Sequence, residues 1–584
     1  MPPSSTKPAA AADASRRLNA VSRHMSSSQP HAIQASAPSS SSGPSGVSSG
    51  LDGQPVQLFS EGGLRTILLN REKALNAVNM QMVHLLNKYI DECTRSPNCH
   101  VILLRGKGRA LCSGGDVLAI VHQADSSDPD DRAKSTEFFR EEFQLDYMIA
   151  RLGEVASINA SGRDGKDARI ALESKAGGAT DTAKPKVFVS LMDGITMGGG
   201  VGLSVHAPLR IATERTRFAM PETGIGYFPD VGVTRVLARL DGKIGQYLGL
   251  TGAQISGEEA YLAGLATHYI SSSSIDPVVA RLASLPAEAA SNPALVASAI
   301  GEFSGDPFGA ERAEVVSKTP FLGDRRVALD YVFGQLSCES IFHCLEEIAS
   351  GEATTQAAQE LKRLGLELIT PDVKEWARKT LDTLRTKSPR ALKVTHQAIL
   401  EARRFDVEEA FRFDMRLATA FCDLSIGRDF FTGVTHVLGR DPKTGKRAQG
   451  VAKWDPPSLE QVSDTQIRAQ FFADVATAER AGLKMKVPEL ERVPKLPEER
   501  KARQARDAVL RGRGPGRWEP TFNVFALPSE AEVESLREGS HPASGAVASS
   551  DDELLDCIKR HKNQMVGIDV KLRDYFERTR RRQA

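Results

Sequence analysis

The chain has 584 residues, 41% of them hydrophobic and 26% charged, and a formal net charge of +1. This length exceeds one ordinary core, so two or more regions are expected, and no apolar run approaches the roughly 18 residues of a membrane span. Seven dispersed cysteines without a Cys-x-x-Cys pair argue against a disulfide framework or a zinc site, so no bound metal is expected.

The first 50 residues differ in composition from the rest of the chain. They are rich in Ser, Ala and Pro, and they carry Arg16, Arg17 and Arg23 against one acid, Asp13. Such a basic, Ser-rich, acid-poor segment is typical of a mitochondrial transit peptide. Residues 1–50 are therefore expected to direct the chain to the mitochondrial matrix, and a disordered tail without an address is the alternative.

Strands and helices alternate from about residue 56 to residue 242, which indicates an α/β fold. Residues 152–184 have little periodicity and predict a mobile insertion. The predicted elements are strands at Gly63–Asn70, Val101–Gly106, Val187–Leu191 and Leu209–Glu214, and a helix at Ala77–Ser96.

Two further regions follow this α/β part. Residues 243–472 are mainly helical in pattern, and residues 473–584 form a C-terminal extension with a terminal helix from about Asp551. Between Arg480 and Arg517 there are twelve Lys and Arg against five Asp and Glu. A basic run is usually a solvated face, but it also suits an anionic partner such as RNA or a membrane surface.

Two glycine turns and two acids form the chemical core of the sequence. One turn, Gly194–Gly202, follows the strand at Val187, and the other, Arg109–Asp116, follows the strand at Val101. Each turn could supply one backbone N–H to the same carbonyl oxygen, and Glu222 and Asp230 lie downstream. An oxyanion site beside carboxylates indicates acyl-transfer chemistry.

Several segments resemble the successive signatures of the crotonase (enoyl-CoA hydratase/isomerase) superfamily. Within it, the chain is most similar to the family of 3-hydroxyisobutyryl-CoA hydrolases, and the likeness covers roughly residues 56–472. The superfamily segments are Asn70–Ala77, Cys112–Asp116, Gly194–Gly202 and Met220–Thr223, and the hydrolase-like ones are Phe139–Glu142, Gly194–His206 and Phe228–Gly232.

The resemblance implies both a fold and an activity. The fold is a crotonase-type spiral of ββα repeats over residues 56–242, with a helical C-terminal part over 243–472 and a basic, partly disordered tail. The implied reaction is hydrolysis of 3-hydroxyisobutyryl-CoA, or a related short β-hydroxyacyl-CoA, to free acid and CoA in mitochondrial valine breakdown. No cofactor is implied, because CoA is part of the substrate.

The resemblance also implies which residues act. Glu222 and Asp230 would be catalytic, and the N–H groups of Gly115 and Gly199 would form the oxyanion hole. Glu142, together with Gly199, Glu222 and Asp230, would contact the substrate.

The segment after the first long strand is implied to border the nucleotide end of CoA. It contains Arg71, Lys73, Ala74 and Ala77. Arg71 and Lys73 would lie near phosphate, although each could equally be a plain surface charge.

Gly202 separates hydrolysis from hydration. Hydratases of the superfamily carry a glutamate at this place, and glycine can neither accept nor donate a proton. Two alternatives stay open beside the hydrolase: a structural component of the small subunit of the mitochondrial ribosome, which the basic tail would suit, and a crotonase-type hydratase or isomerase. The oligomeric state is left open.

Overall fold

A computed structural model of the chain describes residues 53–160, 186–309, 313–352, 354–441, 444–473, 487–493, 523–541 and 550–583. The predicted transit peptide and most of the basic run at 480–517 lie outside these residues. Within them, no helix combines the length and the apolar character needed to cross a bilayer.

Two sheets form the centre of the fold. The first has six strands in the order β1-β2-β3-β5-β7-β10, and the second has four in the order β4-β6-β8-β9. The strands are β1 (Val56–Glu61), β2 (Leu64–Leu69), β3 (Val101–Gly106), β4 (Ala110–Cys112), β5 (Val187–Met192), β6 (Ile195–Met197), β7 (Leu209–Ala212), β8 (Arg217–Ala219), β9 (Ile255–Ser256) and β10 (His268–Tyr269).

Successive strand pairs build a spiral. In β3/β4, β5/β6 and β7/β8, the first strand enters the large sheet, the second enters the small sheet, and helical structure follows. Neighbours along the spiral are parallel, whereas β1–β2 and β8–β9 are antiparallel. The spiral of ββα repeats is therefore present.

Helices cover the sheets and make up most of the chain after residue 243. Those of the spiral are α1 (Met80–Arg95), α2 (Val117–Ala124), α3 (Pro129–Ala160), α4 (Gly199–Val205) and α5 (Val233–Leu237). The next are α6 (Ile244–Thr251), α7 (Gly257–Leu262), α8 (Ile275–Ala283), α9 (Ala287–Ala290), α10 (Pro293–Gly301), α11 (Ala313–Lys318), α12 (Gly323–Val332), α13 (Cys338–Ser350), α14 (Thr355–Arg363), α15 (Pro371–Leu384), α16 (Pro389–Ala402), α17 (Val407–Cys422), α18 (Asp429–Leu438) and α19 (Asp464–Ile467). The C-terminal extension has α20 (Glu530–Arg537), α21 (Asp551–His561) and α22 (Ile568–Gln583).

The sequence placed the main strands correctly and misplaced one boundary. Residues 152–160, assigned to a mobile insertion, continue α3 as helix, and residues 161–185 lie outside the described residues. Leu152 and the fully buried Ala156 stand four residues apart, so both meet the apolar core on one helix face.

One large apolar core joins the spiral to the C-terminal extension. Buried side chains of α21 and α22, such as Ile558 and Leu572, belong to the same cluster as Phe139 of α3 and Phe228 beside the site. The described part of the extension therefore packs on the rest of the protein.

Candidate active site

Three neighbouring strands of the small sheet end at one edge. β4 pairs in parallel with β6, with Cys112 opposite Thr196, and β6 pairs in parallel with β8, with Met197 opposite Ala219. The carboxyl ends of parallel strands share an edge, where ligands commonly bind. This register brings both glycine turns and Glu222 together.

The two predicted oxyanion donors are neighbours. A Cβ added to Gly199 would lie 3.5 Å from the nitrogen of Gly115. Gly199 is the first residue of α4, so its N–H has no acceptor within the helix. Asp116 donates its N–H to the Val78 carbonyl at 2.8 Å, whereas no hydrogen bond among the described residues uses the N–H of Gly115. Both N–H groups can therefore serve one ligand oxygen.

Glu222 lies beside this pair in a buried turn. It begins the 3-10 helix Glu222–Ile225, and its Oε1 is 3.0 Å from the place a Cβ on Gly198 would take. Its Oε2 is buried without a hydrogen-bond partner. Burial, and then the charge of Asp230, raise the pKa of Glu222 well above its usual value, while Lys387 opposes the shift.

Asp230 lies in the loop before α5 and is 5% exposed. Burial raises its pKa to about 7, partly offset by its own backbone N–H and by the Tyr227 hydroxyl. The Tyr227 ring stacks on Phe139, with centroids 5.5 Å apart, and on Phe430, with centroids 4.5 Å apart. This aromatic wall helps to keep Asp230 away from water, so the carboxyl can hold a proton near neutral pH.

His206 holds the Asp230 loop in place. Its Nε2 lies 2.7 Å from the carbonyl of Val231, the residue after Asp230. Burial lowers the pKa of His206 to about 4, so the neutral imidazole donates this bond. The imidazole therefore orients a site residue and is not free to act as a base.

Glu142 reaches the oxyanion donors from the facing helix, α3. Its side chain is 3% exposed, and a Cβ on Gly199 would collide with its Oε1. Burial, and then Asp230, raise the pKa of Glu142 well above its usual value. The glycine at 199 thus has two consequences: it opens the N–H to a ligand and leaves space for this carboxyl.

The predicted CoA-binding segment borders the first glycine turn, but its charges are unequal. Arg71 pairs with Asp116 at 3.1 Å and donates to the Ala77 carbonyl at 2.8 Å. Lys73 is exposed, and Ala74 and Ala77 are half-buried. Of the two basic residues, Lys73 is the one placed to meet a phosphate without first breaking an ion pair.

Sequence reasoning missed two groups at the site. Asp146 on α3 is fully buried and lies next to Gly202. The buried Lys387 is a positive charge that favours ionised Glu222, and burial lowers its own pKa to about 8. Asp146 had a signal, since a residue four positions after Glu142 shares its helix face. Lys387 directly precedes the Ser388–Lys393 motif but makes its contact across more than 160 residues of chain.

Two other groups with reactive side chains have structural explanations. Burial raises the pKa of the Cys112 thiol to about 12, so it is a poor nucleophile at neutral pH. In the extension, Glu532, His541 and His561 place ligand atoms within 4.8 Å of one another, a grouping that sequence spacing did not reveal. Lys562 already lies 3.1 Å from the Glu532 carboxylate and neutralises its charge.

Comparisons with known proteins agree with this geometry. The profile of the family described as Enoyl-CoA hydratase/isomerase matches residues 64–161 and 179–472. The small ribosomal subunit protein mS47 of Neurospora crassa is 35% identical over 68% of this chain and 67% of its own length. The mitochondrial 3-hydroxyisobutyryl-CoA hydrolase of Xenopus tropicalis is 33% identical over 69% of this chain and 85% of its own.

A solved structure gives the same picture at the level of the fold. The carnitinyl-CoA dehydratase from Mycobacterium thermoresistibile superposes with a TM-score of 0.54 and 26% identity. The superposition covers 76% of this chain and the whole of that one.

Proposed function

Because the chain belongs to the enoyl-CoA hydratase/isomerase family, we propose that it hydrolyses 3-hydroxyisobutyryl-CoA, or a related short β-hydroxyacyl-CoA, in the mitochondrial matrix. One observation carries the proposal: the Glu222 carboxyl borders Gly198, directly beside the Gly115 and Gly199 donors. A carbonyl oxygen held by those donors leaves its carbon within reach of Glu222.

The reaction needs one carboxylate and one proton donor, and the site has a group for each. Ionised Glu222, favoured by Lys387, attacks the thioester carbon or removes a proton from water that attacks it. The new C–O bond pushes negative charge onto the oxygen between Gly115 and Gly199. Asp230, with its pKa near 7, then protonates the sulfur as the C–S bond breaks, giving free acid and CoA thiol.

Hydration is the less favoured reaction, although the structure changes the reason. Asp146 brings a carboxyl against Gly202, so the position is not without an acid. The acids that raise the pKa of Asp146 are Glu142 and Asp230. Asp146 is thus grouped with these two acids, whereas hydration requires a second acid acting with Glu222 on one water.

Release of free thiol from 3-hydroxyisobutyryl-CoA tests the proposal. The purified protein is expected to release one thiol per substrate, and Glu222→Gln is expected to stop the release. No thiol release by the wild-type protein, or an unchanged rate in the variant, contradicts the mechanism. Water addition to a 2-enoyl-CoA, measured in parallel, would assign the chain to the hydratases instead.

A role in the small subunit of the mitochondrial ribosome is the second candidate. The relative named mS47 favours it by its 35% identity. Against RNA contact at the end of the described chain, the terminal arginines face acids of this protein: Arg581 pairs with Asp324 at 2.8 Å, and Arg582 lies 3.8 Å from Asp330.

Sedimentation of native mitochondrial extract in moderate salt separates the two candidates. A free matrix enzyme is expected to stay near the top of the gradient together with the thiol-releasing activity. Co-sedimentation with the small subunit, lost only at high salt, supports the ribosomal role.

A further inference from the structure

Asp146 is a buried acid with no partner among the described residues. Its side chain is fully buried on α3, one helical turn after Glu142. Neither carboxyl oxygen has a hydrogen-bond partner. Leaving one such buried polar group unsatisfied costs about 1–3 kcal/mol, so an unpartnered carboxyl in a core calls for an explanation.

Gly202 makes the space that Asp146 occupies. A Cβ on Gly202 would lie 2.5 Å from Asp146 Oδ2 and 2.7 Å from the Cβ of Val231. Gly199, one turn earlier on α4, stands in the same relation to Glu142. Two carboxyls of α3 therefore face two glycines of α4, the first at the oxyanion donors and the second one turn deeper.

The surroundings of Asp146 determine which chemical group can meet it. Burial, and then the nearby Glu142 and Asp230, raise its pKa well above the usual value, so the carboxyl is protonated at neutral pH. A protonated carboxyl both donates and accepts one hydrogen bond. A hydroxyl group matches it, because a hydroxyl also donates and accepts, whereas a further anion would be repelled.

The spacing along α4 fits one position of the acyl group. Gly202 is three residues after Gly199, which is about 4.5 Å along a helix axis. With the thioester oxygen at Gly199, a hydroxyl on the β-carbon is three bonds beyond the carbonyl carbon and falls at this depth. We propose that Asp146, in the space left by Gly202, binds the β-hydroxyl of the acyl group and selects hydroxylated substrates; this proposal rests on the proposed thioester hydrolysis.

Two substrates that differ only in this hydroxyl test the proposal. kcat/KM is measured for 3-hydroxyisobutyryl-CoA and for isobutyryl-CoA with the wild-type protein, Asp146→Ala and Asp146→Asn. Asp146→Ala is expected to lower kcat/KM for the hydroxylated substrate by about 10- to 100-fold and to leave the other unchanged, since one lost hydrogen bond acts on one substrate only. Asp146→Asn keeps a donor and an acceptor and is expected to retain part of the preference.

A control variant and a second readout keep the outcomes distinct. Glu137→Gln, an exposed change on the same helix, is expected to leave both values unaltered. An equal loss on both substrates in Asp146→Ala, with unfolding temperature as the check on folding, overturns the proposal in favour of a structural role.

Failure of the proposed hydrolysis can be told apart from failure of this inference. If the wild-type protein cleaves neither thioester, the affinities of the two intact acyl-CoA molecules are compared by calorimetry. Tighter binding of the hydroxylated molecule that Asp146→Ala abolishes supports the subsite without the reaction. Equal binding of both molecules by the wild-type protein overturns it.

Discussion

Two regions of the molecule bury acids and treat them in opposite ways. At the active site, burial and neighbouring acids raise the pKa values of Glu142, Asp146 and Glu222. At the contact between the extension and α12, Glu530 is equally buried, yet Arg326 at 3.0 Å and Arg578 at 2.8 Å more than offset its burial. Its pKa falls to about 2.

The difference distinguishes a binding site from a structural clamp. Desolvation penalises a buried charge in both places, and only a partner of opposite charge offsets it. In the clamp the protein supplies both partners, so the charges are satisfied without a ligand. At the active site it supplies Lys387 alone against several acids, so protons and a substrate must satisfy the remainder.

The largest expected effect is on turnover. Glu222→Gln is expected to lower kcat by about 10⁴-fold, because the change removes the nucleophile or base while keeping the shape of the side chain. Thiol release measures the rate, and urea unfolding should show stability equal to or above that of the wild type. A parallel loss of stability would move Glu222 to the structural side of the comparison.

Glu530→Gln is expected to give the converse result. It leaves Arg326 and Arg578 buried without their shared acid, and breaking such a buried pair costs about 3–5 kcal/mol in the free energy of unfolding. Thiol release per folded molecule should be unchanged. Glu538→Gln, at the exposed end of the same helix, is the matched control, and equal stability of the two variants would contradict the clamp.

A smaller effect is expected at the glycine that faces Asp146. Gly202→Ala forces a methyl group against Asp146 and Val231, and overpacking of this kind costs about 1–3 kcal/mol of stability. Adding Asp146→Ala should recover most of the loss, because the space is freed. Gly301→Ala is the control, since nothing lies within 4 Å of its added Cβ. An unchanged unfolding temperature in Gly202→Ala would show that the contact is looser than described.

The smallest effects are pH slopes of opposite sign. The folded pKa of Asp230 is about 7 against 3.8 for the free group, so its contribution to stability is complete below pH 3.8 and is lost as the pH rises towards 7. That of Glu530 is present above pH 4.5 and is lost as the pH falls towards 2. Each group contributes at most about 1.4 kcal/mol per pH unit.

Unfolding measured across pH separates these two limbs. Asp230→Asn should flatten the slope between pH 4 and 7, and Glu530→Gln should flatten it below pH 4.5. A variant that flattens the other limb contradicts the assignment of charge to its region.

The sequence predicted the parts of the site that follow local rules. Apolar runs placed β2, β3 and β5, and glycines after strands marked both turns, because strand ends and turns depend on neighbouring residues. The closeness of Gly115 to Gly199 could be anticipated only as an expectation, since it depends on the pairing of β4 with β6 across more than 80 residues.

Groups whose meaning depends on distant partners could not be predicted in this way. Arg71 looked like a phosphate ligand until Asp116 was found beside it, and Lys387 looked like a surface charge. The basic character of the C-terminal extension suggested an outside partner, but Arg578 turned out to pair with Glu530 and Asp574 of the protein itself. Composition reports charge and does not report where the countercharge lies.

The clamp also sets an order of events during synthesis. Glu530 is 204 residues later in the chain than Arg326, which at 5–20 residues per second is a delay of roughly 10–40 s on the ribosome. During that time Arg326 has Asp330, four residues away on α12, as a temporary partner at 3.0 Å. The spiral can thus be complete before its last helices emerge, and a chain stalled before Glu530 would present a charged, uncovered face to the cell's quality-control machinery.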